Sequence, residues 1–320
     1  MHNVVLVDKP TRQVTELLSG RVNSHFVASD RSNLTELLDI ADAIFVRLFP
    51  VTETLLSQSP NLKAIGRHGV GFDTVDIAAA TRRKIPVVFT PDANSDAVAE
   101  HAVMLMLAVA RRLVDLDETI HSGKWRHEPH QEGLELCERT VGIIGFGNIG
   151  RKVGHLCGHG FGMQVVVYDP FVPIEQFPDS MTQVETLEDL LRQADFLTLH
   201  MPLSKETHHL INSERLAQVK DGAILVNTAR GGLVDDNALA QALDRGRLAG
   251  ARLDVYEEEP LRTDSPMLAL ERNRVILTPH VAGLTDRSVQ RMAEMVCNGV
   301  IAVLDGERPT NVVNPQVWSI

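Results

Sequence analysis

One stretch of this 320-residue chain constrains its fold more than any other: VGIIGFGNIGRKVGHLCGHGFGMQVVVYDP, beginning at Val141. Val141 to Ile144 form an apolar run of strand length. Gly145, Gly147 and Gly150 then supply a G-x-G-x-x-G turn, and Ile149, Val153, Leu156 and Cys157 recur at helical spacing. A second apolar run, Val165 to Tyr168, ends in Asp169. Strand, glycine turn, helix, strand and acid are the parts of a dinucleotide-binding unit. Gly145 permits the tight turn, Gly147 lets backbone amides approach a pyrophosphate, and Gly150 lets the helix pack closely on the strand. The helix N-terminus offers free N–H groups and the positive end of its dipole to the phosphates. Asp169 stands where a carboxylate can accept both hydroxyls of an adenosine ribose. A methyltransferase, which also uses a glycine turn and a ribose-binding acid, is the competing reading of these residues alone.

Composition narrows the setting. With 44% hydrophobic residues the chain can bury large cores, and its length suggests about two domains. A net charge of −11 argues against nucleic acid or an anionic membrane as a partner recognised through a general positive field. The three cysteines, Cys137, Cys157 and Cys297, have no metal-ligand spacing and are expected to be packed thiols in a reducing cytoplasm. Residues 1–8 lack the apolar core of a signal peptide and read as a first strand. The longest apolar run, Ala102 to Ala110, is closed by Arg111 and Arg112 and is too short to span a bilayer.

Residues 1–98 alternate strand-like runs with helical stretches, which predicts a small parallel α/β unit. Its runs are VVLVD (4–8), FVAS (26–29), AIFVRL (43–48), LKAIGR (62–67) and PVVFT (86–90). GRHGVGFDTVD (66–76) is either a plain strand-to-helix turn or a nest of N–H groups around Val70 and Gly71 that could hold a carboxylate. Residues 94–120 read as one long helix, apolar almost all round in its centre. His121, His127 and His130 surround Trp125, but their spacing suits no metal-ligand pattern, and a surface arm packing against another subunit is the better reading. No metal is expected.

After residue 141 the alternation resumes, with strands expected at 194–202, 223–230, 251–256 and 274–280. Their ends carry His200-Met201-Pro202, Thr228-Ala229-Arg230, Asp254 through Glu259, and His280. Ligands bind at the carboxyl ends of strands in open α/β sheets. A helix is expected over 285–304, followed by a tail returning towards the surface. Arg230, Glu259 and His280 are the residues selected for catalysis. Each alone could be a surface charge or a packed histidine. Together they suit hydride transfer to a ketone: a histidine supplies the proton, a carboxylate orients it, and a guanidinium binds the substrate carboxylate and can polarise the carbonyl.

These residues carry a resemblance. The chain resembles the D-isomer-specific 2-hydroxyacid dehydrogenases through GRHGVGFDTVD, AVAEHAVMLMLAVAR, VGIIGFGNIG with Asp169, HMPLSKETHHLIN, LVNTARGGLVDDNAL, LDVYEEEP and LTPHVAG. The resemblance implies an α/β protein. A Rossmann doubly wound parallel sheet binds NAD over 99–284, and a smaller flavodoxin-like α/β catalytic domain is formed from both chain ends, 1–98 and 285–320, with a cleft between the two. It implies a homodimer. It also implies that Arg230 binds substrate, Glu259 pairs with the histidine, and His280 is the acid/base. Gly145, Gly147, Asn148, Ile149, Asp169, Met201, Pro202, Thr228, Ala229, Arg230, Asp254, His280 and Gly283 match cofactor positions. Val70 and Gly71 match the amides that hold the substrate carboxylate.

Within the family, the chain ends without the regulatory domain of many phosphoglycerate dehydrogenases, and the turn Leu48-Phe49-Pro50 forms an apolar wall beside Arg47. Both favour a compact 2-oxo acid such as glyoxylate or hydroxypyruvate over 3-phosphohydroxypyruvate. Arg47 would meet a hydroxyl or a second small anion. Formate-type members are typically longer and carry extra loops. A dinucleotide-sensing corepressor is the alternative from another class, and the absence of a basic patch weighs against it.

Overall fold

The computed structural model describes residues 1–125, 132–272 and 274–319. The chain forms two compact units, Met1–Asn94 with Leu284–Ile320, and Ser95–Gly283.

The first unit is built on five parallel strands: β1 (Asn3–Leu6), β2 (Asn23–Phe26), β3 (Ala43–Val46), β4 (Ala64–Arg67) and β5 (Val87–Val88). Their order, β2-β1-β3-β4-β5, is the flavodoxin-like arrangement. β3 and β4 are buried along their whole length, as parallel strands covered on both faces must be. One face packs against the helix Asp286–Leu304, whose Ala293, Val296, Cys297 and Val300 are fully buried. That helix starts with a capping box, Thr285 and Ser288 each bonding the other's backbone amide.

The second unit carries seven parallel strands: β6 (Thr140–Ile144), β7 (Gln164–Tyr168), β8 (Met181–Gln183), β9 (Phe196–Leu199), β10 (Ala223–Asn227), β11 (Leu248–Leu253) and β12 (Val275–Leu277). Their order is β12-β11-β10-β9-β6-β7-β8. Counted from β6, this is the Rossmann order with one strand added at the edge. The order reverses between β6 and β9, so the ends of those two strands flank the natural ligand crevice.

Several expectations need correction. The second strand is Asn23–Phe26, not FVAS: it is the sheet edge, so its NSHF sequence is only partly buried and carries no apolar signal. The helix expected over 94–120 is two, Ser95–Ala110 and Leu113–His121, because Arg112 turns left-handed with φ 51° and ends the first. The tail does not stay at the surface: Val312 pairs with Val88, and the fully buried Asn314 side chain bonds Val87 and Ile85. Cys157 and Cys297 are buried and their thiols pushed up to about 12 by burial, whereas Cys137 is exposed. β8 is short and polar and has no counterpart in the apolar pattern. His127 and His130 lie outside the described residues.

Candidate active site

The three selected residues follow the carboxyl ends of three adjacent strands of the second unit: Arg230 after β10, Glu259 after β11 and His280 after β12. Two of these turns are held by a buried polar side chain at a strand end. At β11 it is Asp254, with no exposed surface. One of its oxygens accepts from the Thr278 hydroxyl (2.5 Å) and the Val281 amide (3.0 Å), the other from the Ala282 amide (2.8 Å). The His280 amide donates to the Asp254 carbonyl (2.8 Å). The 278–282 turn is thus wrapped around one carboxylate. This binding supports His280 at φ 52°, a left-handed conformation that costs a non-glycine residue about 1 kcal/mol.

His280 Nδ1 lies 2.6 Å from Glu259 Oε2, and the Tyr256 amide donates to the other Glu259 oxygen at 3.1 Å. Burial alone would raise the Glu259 carboxyl. The bond and charge of His280, the Tyr256 amide and the charge of Arg230 outweigh it and hold the carboxyl below its ordinary value. Glu259 is therefore an anion aimed at an imidazole, with a guanidinium near enough to act on it. The rest of the acidic run is separated from this role: Glu257 meets His209, and Glu258 meets Arg262.

Arg230 is brought to this loop by backbone packing. Asn227 at the end of β10 receives the Ala229 amide (3.0 Å) and donates to the Arg230 carbonyl (2.8 Å), which shapes the turn. Gly231 then lies directly against the Tyr256–Glu257 peptide, where no side chain fits.

The glycine turn after β6 has three different glycines. Gly145 takes φ 95° and sits against the His200 carbonyl; a Cβ on Gly150 would meet the Gly145 carbonyl oxygen at 2.2 Å; around Gly147 nothing lies within 4 Å. The helix Asn148–His155 starts there with no side-chain cap, which leaves its N-terminus open. Asp169 at the end of β7 accepts the Phe146 amide (2.7 Å) and the Phe171 amide (2.9 Å), one on each oxygen, and each oxygen keeps a further lone pair. Thr228 is buried, and its hydroxyl has no partner among the described residues. An open cradle at Gly147, an uncapped helix end and an orphaned hydroxyl fit a phosphate-bearing ligand. His200 contributes structure instead: burial holds its imidazole neutral, pushed down to about 3, with Thr198 at 2.8 Å.

The comparisons decide between the readings. Residues 103–282 match the family model of the D-isomer specific 2-hydroxyacid dehydrogenase NAD binding domain. The chain belongs to the D-isomer specific 2-hydroxyacid dehydrogenases. It is 38% identical to a glyoxylate reductase of Korarchaeum cryptofilum, over 97% of this chain and 96% of that protein. It is 41% identical to a D-3-phosphoglycerate dehydrogenase of Methanocaldococcus jannaschii, over 97% of this chain but 59% of that longer protein. The crystal structure of D-lactate dehydrogenase from Aquifex aeolicus, complexed with NAD and lactic acid, superposes with a TM-score of 0.89 at 33% identity, covering 98% of this chain and 99% of that one. This dehydrogenase is therefore an NAD-dependent oxidoreductase that interconverts a 2-oxo acid and its 2-hydroxy acid. The methyltransferase reading falls.

In the first unit of the dehydrogenase, Asp8 fixes the turn that carries Arg47, one carboxylate oxygen accepting the amides of Arg47 (2.5 Å), Leu48 (2.9 Å) and Phe49 (3.1 Å). The apolar wall expected from this turn is reduced, because Phe49 is buried in the core with Val46, Val51 and Leu55. Leu48 and Pro50 are exposed. The amides of Val70 and Gly71 have no hydrogen-bond partner among the described residues. Beside them His68 is buried and held neutral, pushed down to about 4 by burial and then by the charges of Arg47 and Arg67. Tyr256 and Thr278 are the supporting groups that residue-by-residue reading undervalued. Tyr256 and Thr278 lie inside the quoted motifs, but only the neighbouring strand ends give them their partners. His101, 3.2 Å from Thr278 Oγ1, comes from a helix far away in the chain and has no local signal.

Among the described residues no helix is long and apolar enough to cross a membrane.

Proposed function

We propose that this dehydrogenase reduces a compact 2-oxo acid to the D-2-hydroxy acid, with His280 as acid/base, Glu259 as its partner and Arg230 as the group that binds the substrate carboxylate. The observation that carries the reading is the 2.6 Å bond between His280 and Glu259. NAD(H), when bound, supplies or accepts the hydride. Gly145, Gly147, Asn148, Ile149, Asp169, Met201, Pro202, Thr228, Ala229, Arg230, Asp254, His280 and Gly283 are the residues we assign to holding it. In reduction the carbonyl carbon gains the hydride and its oxygen develops negative charge. Protonated His280 delivers the proton, while Glu259 stabilises the imidazolium before transfer. Arg230 fixes the carboxylate bidentately and draws electron density from the carbonyl. In oxidation the same imidazole, neutral, accepts the hydroxyl proton. Asp254 also holds the His280 turn in place.

On the first unit, the reading assigns the Val70 and Gly71 amides to the substrate carboxylate and Arg47 to the third substituent of the substrate. One observation favours a second reading. Phe49 is buried in the core, so the turn beside Arg47 presents less apolar surface than its sequence suggested. An anionic tail such as that of 3-phosphohydroxypyruvate gains from this. A panel of glyoxylate, hydroxypyruvate, pyruvate and 3-phosphohydroxypyruvate with NADH, on wild type and Arg47→Ala, decides the matter. We expect one of the first two to give the highest kcat/KM, and Arg47→Ala to raise KM for hydroxypyruvate far more than for glyoxylate. A best rate with 3-phosphohydroxypyruvate would move the substrate assignment and leave the reaction class intact.

We further infer a homodimer in the cytoplasm. Met104, Leu113, Leu116, Ile120 and Trp125 are exposed apolar side chains on or next to the two helices Ser95–Ala110 and Leu113–His121, a pattern of surfaces that meet partners. Light scattering on the purified protein tests it, with Leu113→Glu expected to give monomer.

A further inference from the structure

The motif HMPLSKETHHLIN contains a histidine pair that the hydride-transfer chemistry leaves unused. Neighbouring side chains usually diverge. Here His209 takes φ 49°, and the rings of His208 and His209 stack with centroids 3.9 Å apart. Both rings turn Nε2 to one acceptor contributed by another part of the chain: Glu257 Oε1 lies 2.8 Å from His209 Nε2 and 3.7 Å from His208 Nε2. One donor atom from each of the three residues lies within 4.8 Å of the others. Ligand atoms around a tetrahedral zinc ion, at about 2.0–2.1 Å from the metal, stand roughly 3.3 Å from one another. The two measured nitrogen–oxygen separations bracket that edge.

We infer that His208, His209 and Glu257 form a binding site for a late first-row divalent ion of the Zn²⁺ or Co²⁺ class. Two imidazoles and one carboxylate make a borderline donor set, better suited to these ions than to Mg²⁺ or Ca²⁺, which prefer oxygen ligands alone. The ion would take the place of the hydrogen bond between His209 and Glu257, so binding competes with protons. His208 and Glu257 are exposed, leaving remaining coordination positions to water. The backbone needed is already in place, because the His209 amide is fixed to the Gly232 carbonyl at 2.8 Å. The site lies outside the Glu259–His280 pair and does not depend on the roles proposed for those two residues.

The test is calorimetric titration of the full chain, stripped of metal, with Zn²⁺ alone. We expect one ion per chain with micromolar affinity. Glu257→Gln, and the double change His208→Gln with His209→Gln, should each weaken it by more than about tenfold, since even outer partners of metal ligands commonly cost that much. Metal-free melting temperatures of the variants show whether they are folded. Co²⁺ added to wild type should give intense ligand-field bands in the visible, absent from both variants. Affinity unchanged in the folded variants overturns the site. So does binding lost instead in His155→Gln with His159→Gln, the other stacked histidine pair, or no binding at all.

Discussion

Gly231 packs against the carbonyl of Tyr256 so closely that a Cβ on it would lie 1.8 Å from the carbonyl carbon. This contact joins the turn that carries Arg230 to the loop that carries Glu259, and neither backbone can yield without moving a proposed catalytic group. Gly231→Ala should destabilise the protein by about 2 kcal/mol or more, within the range for overpacking a tight site. It should also depress kcat/KM far beyond the loss of folded protein. Urea denaturation and initial rates on the folded fraction measure the two effects. An alanine variant of wild-type stability and rate would contradict the packing.

The glycines of the G-x-G-x-x-G turn separate packing from ligand approach. Gly150→Ala places a methyl 2.2 Å from the Gly145 oxygen and should lower the melting temperature. Gly147→Ala meets nothing within 4 Å at φ −75°, so its melting temperature should match wild type. Its NADH affinity should nevertheless fall by about tenfold or more, a loss of ~1.4 kcal/mol. Fluorescence titration with NADH distinguishes the two, and equal NADH affinity in Gly147→Ala and wild type would remove the phosphate role assigned to Gly147.

His280→Ala should lose most turnover while NADH binding changes little. Glu259→Gln replaces the anion that stabilises the imidazolium with a neutral amide. Reduction requires the protonated ring, so its alkaline limb should move to lower pH. The kcat/KM profile of both variants across pH 5–10 checks the pair; a Glu259→Gln profile superimposable on wild type would be incompatible with the assignment.

The cofactor role proposed for Asp169 sets a carboxylate against a 2′-phosphate, so NADH should be preferred to NADPH. Asp169→Asn keeps an acceptor for the Phe146 or Phe171 amide and removes the charge. The preference should narrow by about tenfold, ~1.4 kcal/mol, through improved NADPH kcat/KM. A wild-type enzyme equally efficient with both cofactors would refute the preference.

Two buried histidines make stability depend on pH well above the carboxylate range. His68 and His200 are held neutral, at about 4 and about 3, against an ordinary 6.5. Above 6.5 both folded and unfolded chains carry these rings neutral and no penalty exists. As pH falls below 6.5 the unfolded chain binds the protons and the folded chain does not, so stability is lost progressively down to about pH 4 for His68 and further for His200. Each ring contributes a slope of up to about 1.4 kcal/mol per pH unit. The melting temperature should therefore fall between pH 6.5 and 5, and fall less steeply in His68→Gln. A flat profile over that interval would show that the rings are not buried neutral in solution.

The glycine turn with its flanking strands and Asp169 was legible because each residue answers a local backbone demand: a positive φ, a close approach, an acid after a strand. The central parallel strands β6, β9 and β10, buried over all but the first residue of β6, were legible for a related reason, since burial on both faces leaves a largely apolar run. Edge strands β2 and β8 were not, because neither is buried and both are largely polar, whereas the edge strands β5 and β12 keep apolar residues. The break at Arg112 was hidden for a different reason: helical periodicity reports which face is buried and not where the backbone changes hand.

The candidate catalytic residues and the pairing of Glu259 with His280 followed from their motifs, but the partners of the neighbouring acids did not. The fold turns Glu259 to His280, Glu257 to His209 and Glu258 to Arg262. That Asp254 also holds the 278–282 turn was not legible, because the strand order brings that turn to it. Local sequence determines which turns can form, because dihedral preference and burial act residue by residue. Which side chain meets which is decided by strand order and register, because those contacts join residues far apart in the chain that share no local signal.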